Sequence, residues 1–252
     1  MKTSRQRIDL LMVARGLAET REKAKALLLA GAVTVNGQRV DKAGALVDEA
    51  AGIAVAAPMP YVSRGGFKLA GALDHFAIDP SGRVCLDIGS STGGFTDCLL
   101  QRGAARVHCV DTGKSQLHWK LRNDPRVVIH EGLNARHLRF EDIGERVQLA
   151  VCDVSFISVT LILPALPPLL DSPRELVVLV KPQFEVGRDQ VGRGGIVREP
   201  ELHAAACARV RAAVEALGLE TRLVASPLPG AEGNLEFLLY GYDPNRRHHL
   251  EA

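Results

Sequence analysis

The run CLDIGSSTGGFTD, residues 85–97, places an acid, Asp87, directly ahead of a turn containing Gly89, Gly93 and Gly94. Glycines there let backbone approach a ligand closely. A triphosphate-binding loop requires Gly-x-x-x-x-Gly-Lys-Ser/Thr, and this run has no lysine. A dinucleotide fingerprint requires Gly-x-Gly-x-x-Gly, which the Gly89-to-Gly93 spacing does not match. Asp87 opposes a pyrophosphate and favours a cation. S-adenosylmethionine (SAM) offers two, an amino group and a sulfonium. A second acid, Asp111, follows 24 residues later, where a carboxylate can hold a ribose diol. The alternative is a turn-capping Asp87 and a surface Asp111; the two acids at this spacing favour methyl-transfer chemistry.

Four further charges stand at apolar runs or their ends: Lys68 in SRGGFKL, Asp153 ending VQLAVCD, Lys181 ending LVVLVK, and Glu236 inside GNLEFLLY. Desolvating such groups is costly. Each also has an ordinary reading. A strand-end Asp caps a following helix, a Lys extends its stem to water, and Glu236 faces solvent on alternate positions.

These residues need a scaffold, and the chain supplies an α/β pattern. Strands are predicted at 84–88, 106–111, 127–130, 148–153, 176–181, 221–225 and 235–240, and helices at 94–101, 116–121, 159–170 and 201–217. The alternation implies a doubly wound, seven-stranded, mostly parallel sheet, whose ligands bind at carboxyl strand ends. Lys181 falls at such an end. Pro182 is expected to bar a helix there, and the glycine-rich segment 183–199, with Arg188, Arg193 and Arg198, to form a long loop that either closes over substrate or is a surface loop without a role.

Ahead of that sheet, Ile8, Leu11 and Met12 share a helical face that Gly16 ends. Thr20 caps a second helix, with Ala24, Leu27 and Leu28 inward and Gly31 as its stop. VTVNGQRV then reads as a hairpin turning at Asn36-Gly37. This gives a small α+β domain over 1–57, a linker at 58–63, and the α/β domain over 64–252. Residues 1–42 hold nine Lys/Arg (Lys2, Arg5, Arg7, Arg15, Arg21, Lys23, Lys25, Arg39 and Lys42) against four acids, a local +5 in a chain of net +2. Such a face either meets phosphate or is simply solvated. The five cysteines form no Cys-x-x-Cys pair and read as reduced core residues; the histidines show no metal spacing, and His248 and His249 carry little information. No signal peptide is expected. The greasy stretch 159–170 is broken by Pro164, Pro167 and Pro168 and falls far short of a membrane span. A cytoplasmic protein without metal or membrane partner is expected.

The N-terminal helix–helix–hairpin order of RIDLLMVARGLAETREKAKALLLAGAVTVNGQRV resembles the S4 RNA-binding domain. The order Lys68, Asp153, Lys181, Glu236 resembles the tetrad of FtsJ-like RNA 2′-O-methyltransferases on a Rossmann-like sheet. With LDIGSSTGGFTDCLL, DVSFIS, KPQFEVGR and the SPLPG…GNLEF ending added, essentially the full chain is similar to the TlyA (hemolysin A-like) family of ribosomal RNA ribose methyltransferases. The resemblance implies SAM as cofactor and, as substrate, the cytidine 2′-hydroxyl of 16S and/or 23S ribosomal RNA. It assigns catalysis to the four charged residues. It assigns SAM contacts to Asp87, Gly89, Ser90, Gly93, Gly94 and Phe95, the ribose to Asp111 and the adenine side to Asn134. Arg5, Arg7, Arg15, Arg21, Lys23, Lys25, Arg64, Arg188 and Arg193 are the RNA-contact candidates. Methylating a hydroxyl is an in-line displacement in which its proton must leave. On this reading Lys181 aligns and deprotonates the hydroxyl while Lys68, Asp153 and Glu236 hold it. Competing readings are a non-catalytic RNA-binding assembly factor, a membrane-active hemolysin and an S4-bearing pseudouridine synthase.

Overall fold

A computed structural model describes residues 4–56 and 59–244; Lys2, Ala57 at the end of the expected first domain, Pro58 of the expected linker, His248 and His249 lie outside them. Contacts divide the chain into two compact units, Met1–Pro60 and Tyr61–Ala252.

In the first unit β1 (Arg5–Arg7) runs into α1 (Ile8–Ala14), and α2 (Arg21–Leu29) follows. The Thr20 hydroxyl accepts from the Lys23 N–H at 3.2 Å, the cap its sequence predicts. β2 (Val33–Val35) and β3 (Gln38–Arg39) form the expected hairpin, with Asn36 and Gly37 both at positive φ as a tight two-residue turn demands. β4 (Leu46–Asp48) pairs with β1, and β5 (Ile53–Val55) with β2. Those three-residue strands are too short to show periodicity in sequence. Ile8, Met12, Ala24, Leu28 and Val33 make the core.

The second unit contains α3 (Gly65–His75), β6 (Val84–Ile88), α4 (Gly94–Gln101), β7 (Arg106–Asp111), α5 (Trp119–Arg122), β8 (Val127–Glu131) and α6 (Phe140–Ile143). Then come β9 (Leu149–Cys152), β10 (Glu175–Val180), α7 (Pro182–Glu185), α8 (Pro200–Glu215), β11 (Glu220–Ala225) and β12 (Phe237–Tyr242). The seven strands order as β8-β7-β6-β9-β10-β12-β11, parallel except for β12, which is antiparallel to both neighbours. The apolar runs of β9 and β10 are buried along their whole length, as strands covered on both faces must be. Ala150, Cys152, Val178 and Val180 face one core, and Leu149, Val151, Val177 and Leu179 the other. All five cysteines are buried free thiols; burial pushes Cys85 and Cys98 up to about 12. Among the described residues no helix is long and apolar enough to cross a membrane.

Several expectations need correction. The helix expected at 159–170 is three separate 3-10 turns, Val159–Leu161, Leu163–Ala165 and Pro167–Leu169, because three prolines lack the N–H groups a continuous helix would use. Pro182 does not bar a helix: it opens α7 at the first helical position, where its fixed φ is already suitable. Glu236 lies one residue ahead of β12 instead of within it. α3, which carries Lys68, went unpredicted because it begins Gly65-Gly66. Glycine is needed at 66, where the Tyr61 ring occupies the space of a side chain. The segment 183–199 is shorter as a loop than expected. The Val197 N–H donates to Asn234 Oδ1 at 3.1 Å, and Asn234 Nδ2 donates to the Gly195 carbonyl at 3.0 Å.

Candidate active site

β6 is the switch point of the sheet, since the chain steps to β7 and β8 on one side and to β9 and β10 on the other. Ligands of such sheets bind beyond the carboxyl ends of the strands at this point, and two cavities lie there. The larger, about 570 Å³, is lined by Gly89, Asp111, Gln116, Asn134, Ser155 and Phe156 among others. That volume suits a nucleoside-sized ligand. The smaller, about 220 Å³, is lined by Lys68, Ser90, Gly94, Phe95, Asp153 and Lys181 among others. Gly89, Ser91, Asp153 and Ser155 line both.

Gly89 sits at φ +80°, and a Cβ on it would collide with the Asp153 carbonyl oxygen. The turn after β6 therefore rests directly on the backbone after β9. Asp111 Oδ2 accepts from the Ser91 N–H at 2.8 Å and Oδ1 from the Gly113 N–H at 2.7 Å. Each oxygen keeps a lone pair for a hydroxyl. Asn134 caps the turn Ala135–His137 through its Oδ1 and lines the larger cavity.

Two predicted cofactor residues reach neither cavity. Gly93, at φ +95°, backs onto Leu117 and Leu121. Asp87 is completely buried: its Oδ2 accepts from the Thr96 N–H at 3.0 Å and hydroxyl at 2.6 Å, and its Oδ1 has no hydrogen-bond partner. Burial pushes its carboxyl up to about 7, against the pull of Thr96. Because the folded value lies above the unfolded one, the native state holds a proton here that the unfolded chain releases between about pH 4 and 7. This residue's contribution to stability thus falls as pH rises through that window, by up to about 4 kcal/mol, and is flat above it. Asp87→Asn is expected to remove that part of the slope, read as a smaller change in denaturant-unfolding free energy between pH 4.5 and 7.5.

The four charged residues assemble as two pairs. Lys68, 8% exposed on α3, is ion-paired with buried Glu236. The Lys181 ammonium lies 2.5 Å from Asp153 Oδ1, without hydrogen-bond alignment, and donates to Ser155 Oγ at 2.9 Å. Neither pairing follows from sequence order. Ser155 was not singled out in the sequence; only its place two residues after Asp153 could have suggested it. Nor was Glu185, which is buried and accepts from Ser158 Oγ at 2.5 Å and the Val159 N–H at 2.8 Å, fixing the segment after Asp153. Within that segment Phe156 stands at φ +65°, 93% exposed, with Phe184 at 5.3 Å.

The basic candidates are partly committed elsewhere. Arg7 and Arg21 hold buried Asp9, at 2.9 and 2.8 Å, and keep its carboxyl well below the usual range. Arg15 donates to the carbonyls of Ala51 and Glu49, and Lys23 pairs with Glu19. Arg5 is exposed and Lys25 half-buried. In the second unit Arg64 donates to the Pro229 carbonyl at 2.8 Å, while Arg188 and Arg193 are exposed. Among the described residues no group of three or more His, Cys, Asp or Glu side chains is arranged to hold a metal ion.

A Rossmann-like sheet with a nucleoside-sized cavity at its switch point, opening onto a lysine–carboxylate site, defines a methyltransferase class of enzyme. The FtsJ-like methyltransferase family matches residues 61–242, and the S4 domain matches residues 6–52. The chain belongs to the FtsJ-like methyltransferases and carries an S4 domain ahead of the enzyme unit. It is 48% identical over 239 residues to the 16S/23S rRNA (cytidine-2′-O)-methyltransferase TlyA of Mycobacterium tuberculosis (strain ATCC 25618 / H37Rv), covering 94% of this chain and 89% of that one. It is 41% identical to Hemolysin A of Brachyspira hyodysenteriae, covering 93% and 98%. A solved structure of a hemolysin-named protein from Streptococcus thermophilus superposes with a TM-score of 0.72 at 44% identity, covering 96% and 90%.

Proposed function

We propose that this protein is a SAM-dependent 2′-O-methyltransferase acting on cytidine ribose in 16S and/or 23S ribosomal RNA, working in the cytoplasm. The observation that carries the reading is the pair of lysine–carboxylate contacts, Lys68–Glu236 and Lys181–Asp153, whose Lys68, Lys181 and Asp153 line one cavity that shares its wall with a nucleoside-sized one. The printed activity of the Mycobacterium relative supports the substrate.

Asp111 and Asn134 would hold the nucleoside part of SAM, with Gly89, Ser90, Gly94 and Phe95 forming the wall toward the smaller cavity. Asp87 and Gly93 shape the turn from behind. Bound there, SAM supplies an electrophilic methyl group. Lys181, after its ammonium has released a proton to solvent, aligns the ribose 2′-hydroxyl as a neutral amine and takes its proton as the methyl group passes to the oxygen. Asp153 and Ser155 fix the Lys181 amino group; Lys68, held by Glu236, orients the hydroxyl from the second pair. The N-terminal unit, bounded at residue 57 with 58–63 as linker, grips structured RNA through Arg5, Arg7, Arg15, Arg21, Lys23 and Lys25. Arg64, Arg188 and Arg193 add phosphate contacts from the enzyme unit.

Incubating the protein with tritiated SAM and small or large ribosomal subunits tests this. Tritium is expected in ribosomal RNA of at least one subunit. RNA binding without any transfer would establish the non-catalytic assembly-factor reading instead.

A further inference from the structure

The segment leading into α5, and α5 itself, commit their inner side to the glycine turn. Leu117 and Leu121 fill the space beside Gly93, and the His118 N–H donates to the Thr92 carbonyl at 3.1 Å. Thr92 lines the smaller cavity and Gln116 the larger. What α5 leaves outward is Trp119, 71% exposed and part of neither cavity wall. An indole left in water is not explained by packing against the core. Its surroundings are cationic. Residues 112–123 contain Lys114, Lys120 and Arg122 and no acid. Arg122 is taken by Glu131, and Lys120 lies 3.5 Å from Asp97, yet its side chain stays 57% exposed. Lys114 is exposed, and the His118 ring stands 5.8 Å from the indole.

An exposed aromatic face next to the exposed Lys120, in a segment that also carries Lys114 and no acid, fits unpaired RNA: a base stacks on the ring while its phosphates meet the lysines. We infer that Trp119, with Lys114 and Lys120, is a stacking platform for an unpaired nucleotide flanking the one that is methylated. The inference rests on the RNA reading of the site and adds a contact outside both cavities and outside the basic N-terminal unit.

Trp119 is the only tryptophan in the chain, so its emission reports on this position alone. The full-length protein is titrated with 16S and 23S ribosomal RNA transcripts freed of protein, and separately with SAM. RNA is expected to quench the emission and shield it from acrylamide, whereas SAM leaves both unchanged. Trp119→Ala is expected to raise KM for RNA roughly 5- to 150-fold with kcat and SAM affinity retained, and Trp119→Phe to restore most of the loss. RNA that is bound and methylated with unchanged emission and an unchanged KM in Trp119→Ala overturns the platform. So does emission that answers to SAM and not to RNA. A variant impaired only on intact subunits, with no quenching by free RNA, makes the surface a protein contact and overturns it too. Absence of methyl transfer to any RNA defeats the enzyme reading instead, because quenching is read without turnover.

Discussion

Lys181→Met is expected to lower single-turnover methyl transfer about 10²–10⁴-fold, the usual share of a positioned proton acceptor, while SAM affinity stays at the wild-type value. The ribose hydroxyl is a weak nucleophile at neutral pH, so the rate depends on where its proton goes. Lys181 is the one of the two lysines whose ammonium both faces a carboxylate, at 2.5 Å, and donates to a hydroxyl, at 2.9 Å, on the wall common to both cavities. Methionine keeps the stem packing and removes only the nitrogen, which separates chemistry from cavity formation. The measurement is single-turnover transfer at saturating SAM beside calorimetric SAM binding. A Lys181→Met protein that transfers within a few-fold of wild type removes Lys181 from the chemistry. A fall in SAM affinity matching the fall in rate reassigns it to cofactor binding.

Gly89→Ala is the second large effect, and it strikes the other half of the site. The residue holds φ +80°, a region that costs an alanine about 1 kcal/mol, and the added methyl meets the Asp153 carbonyl oxygen, a backbone atom that cannot swing away. Relief requires parting the ends of β6 and β9, which displaces Asp153 and Ser155 together with the Ser90–Ser91 backbone. Loss of SAM binding by 100-fold or more is expected, from about 3 kcal/mol of combined strain and overpacking, with a lowered thermal midpoint. Isothermal titration with SAM and a melting curve check it. Wild-type SAM affinity in Gly89→Ala shows that the turn does not bear on the cofactor.

The enzyme fold was readable because β6 and β10 are apolar runs ended by glycine or charge, and because α4 starts where the glycine turn ends. The helix carrying Lys68 was not, since two glycines mark its start and the purpose of the second, Gly66, which is room for the Tyr61 ring, is a tertiary contact. Prolines act in both directions in this chain. At 164, 167 and 168 they dissolve a predicted helix into 3-10 turns, while at 182 the same fixed φ starts one. The charged set was legible as four charges at apolar runs or their ends, but its division into Lys68–Glu236 and Lys181–Asp153 depends on how α3 packs and on sheet order, which sequence order does not reveal. Asp87 shows the same limit: its position beside the glycine turn suggests a ligand contact, whereas β6 directs it inward to Thr96. Arg7 and Arg21 look like free phosphate ligands in the sequence, and the buried Asp9 between them becomes visible only when α1 and α2 pack.

The most direct test of the central claim is the chemical position of the transferred methyl group. Ribosomal RNA labelled by the protein from tritiated SAM is hydrolysed in alkali, which cuts only where a free 2′-hydroxyl is available. The account predicts that the label survives in an uncut dinucleotide and is released by nuclease and phosphatase as 2′-O-methylcytidine. Label recovered in alkali-released mononucleotides, carried on a base, contradicts it.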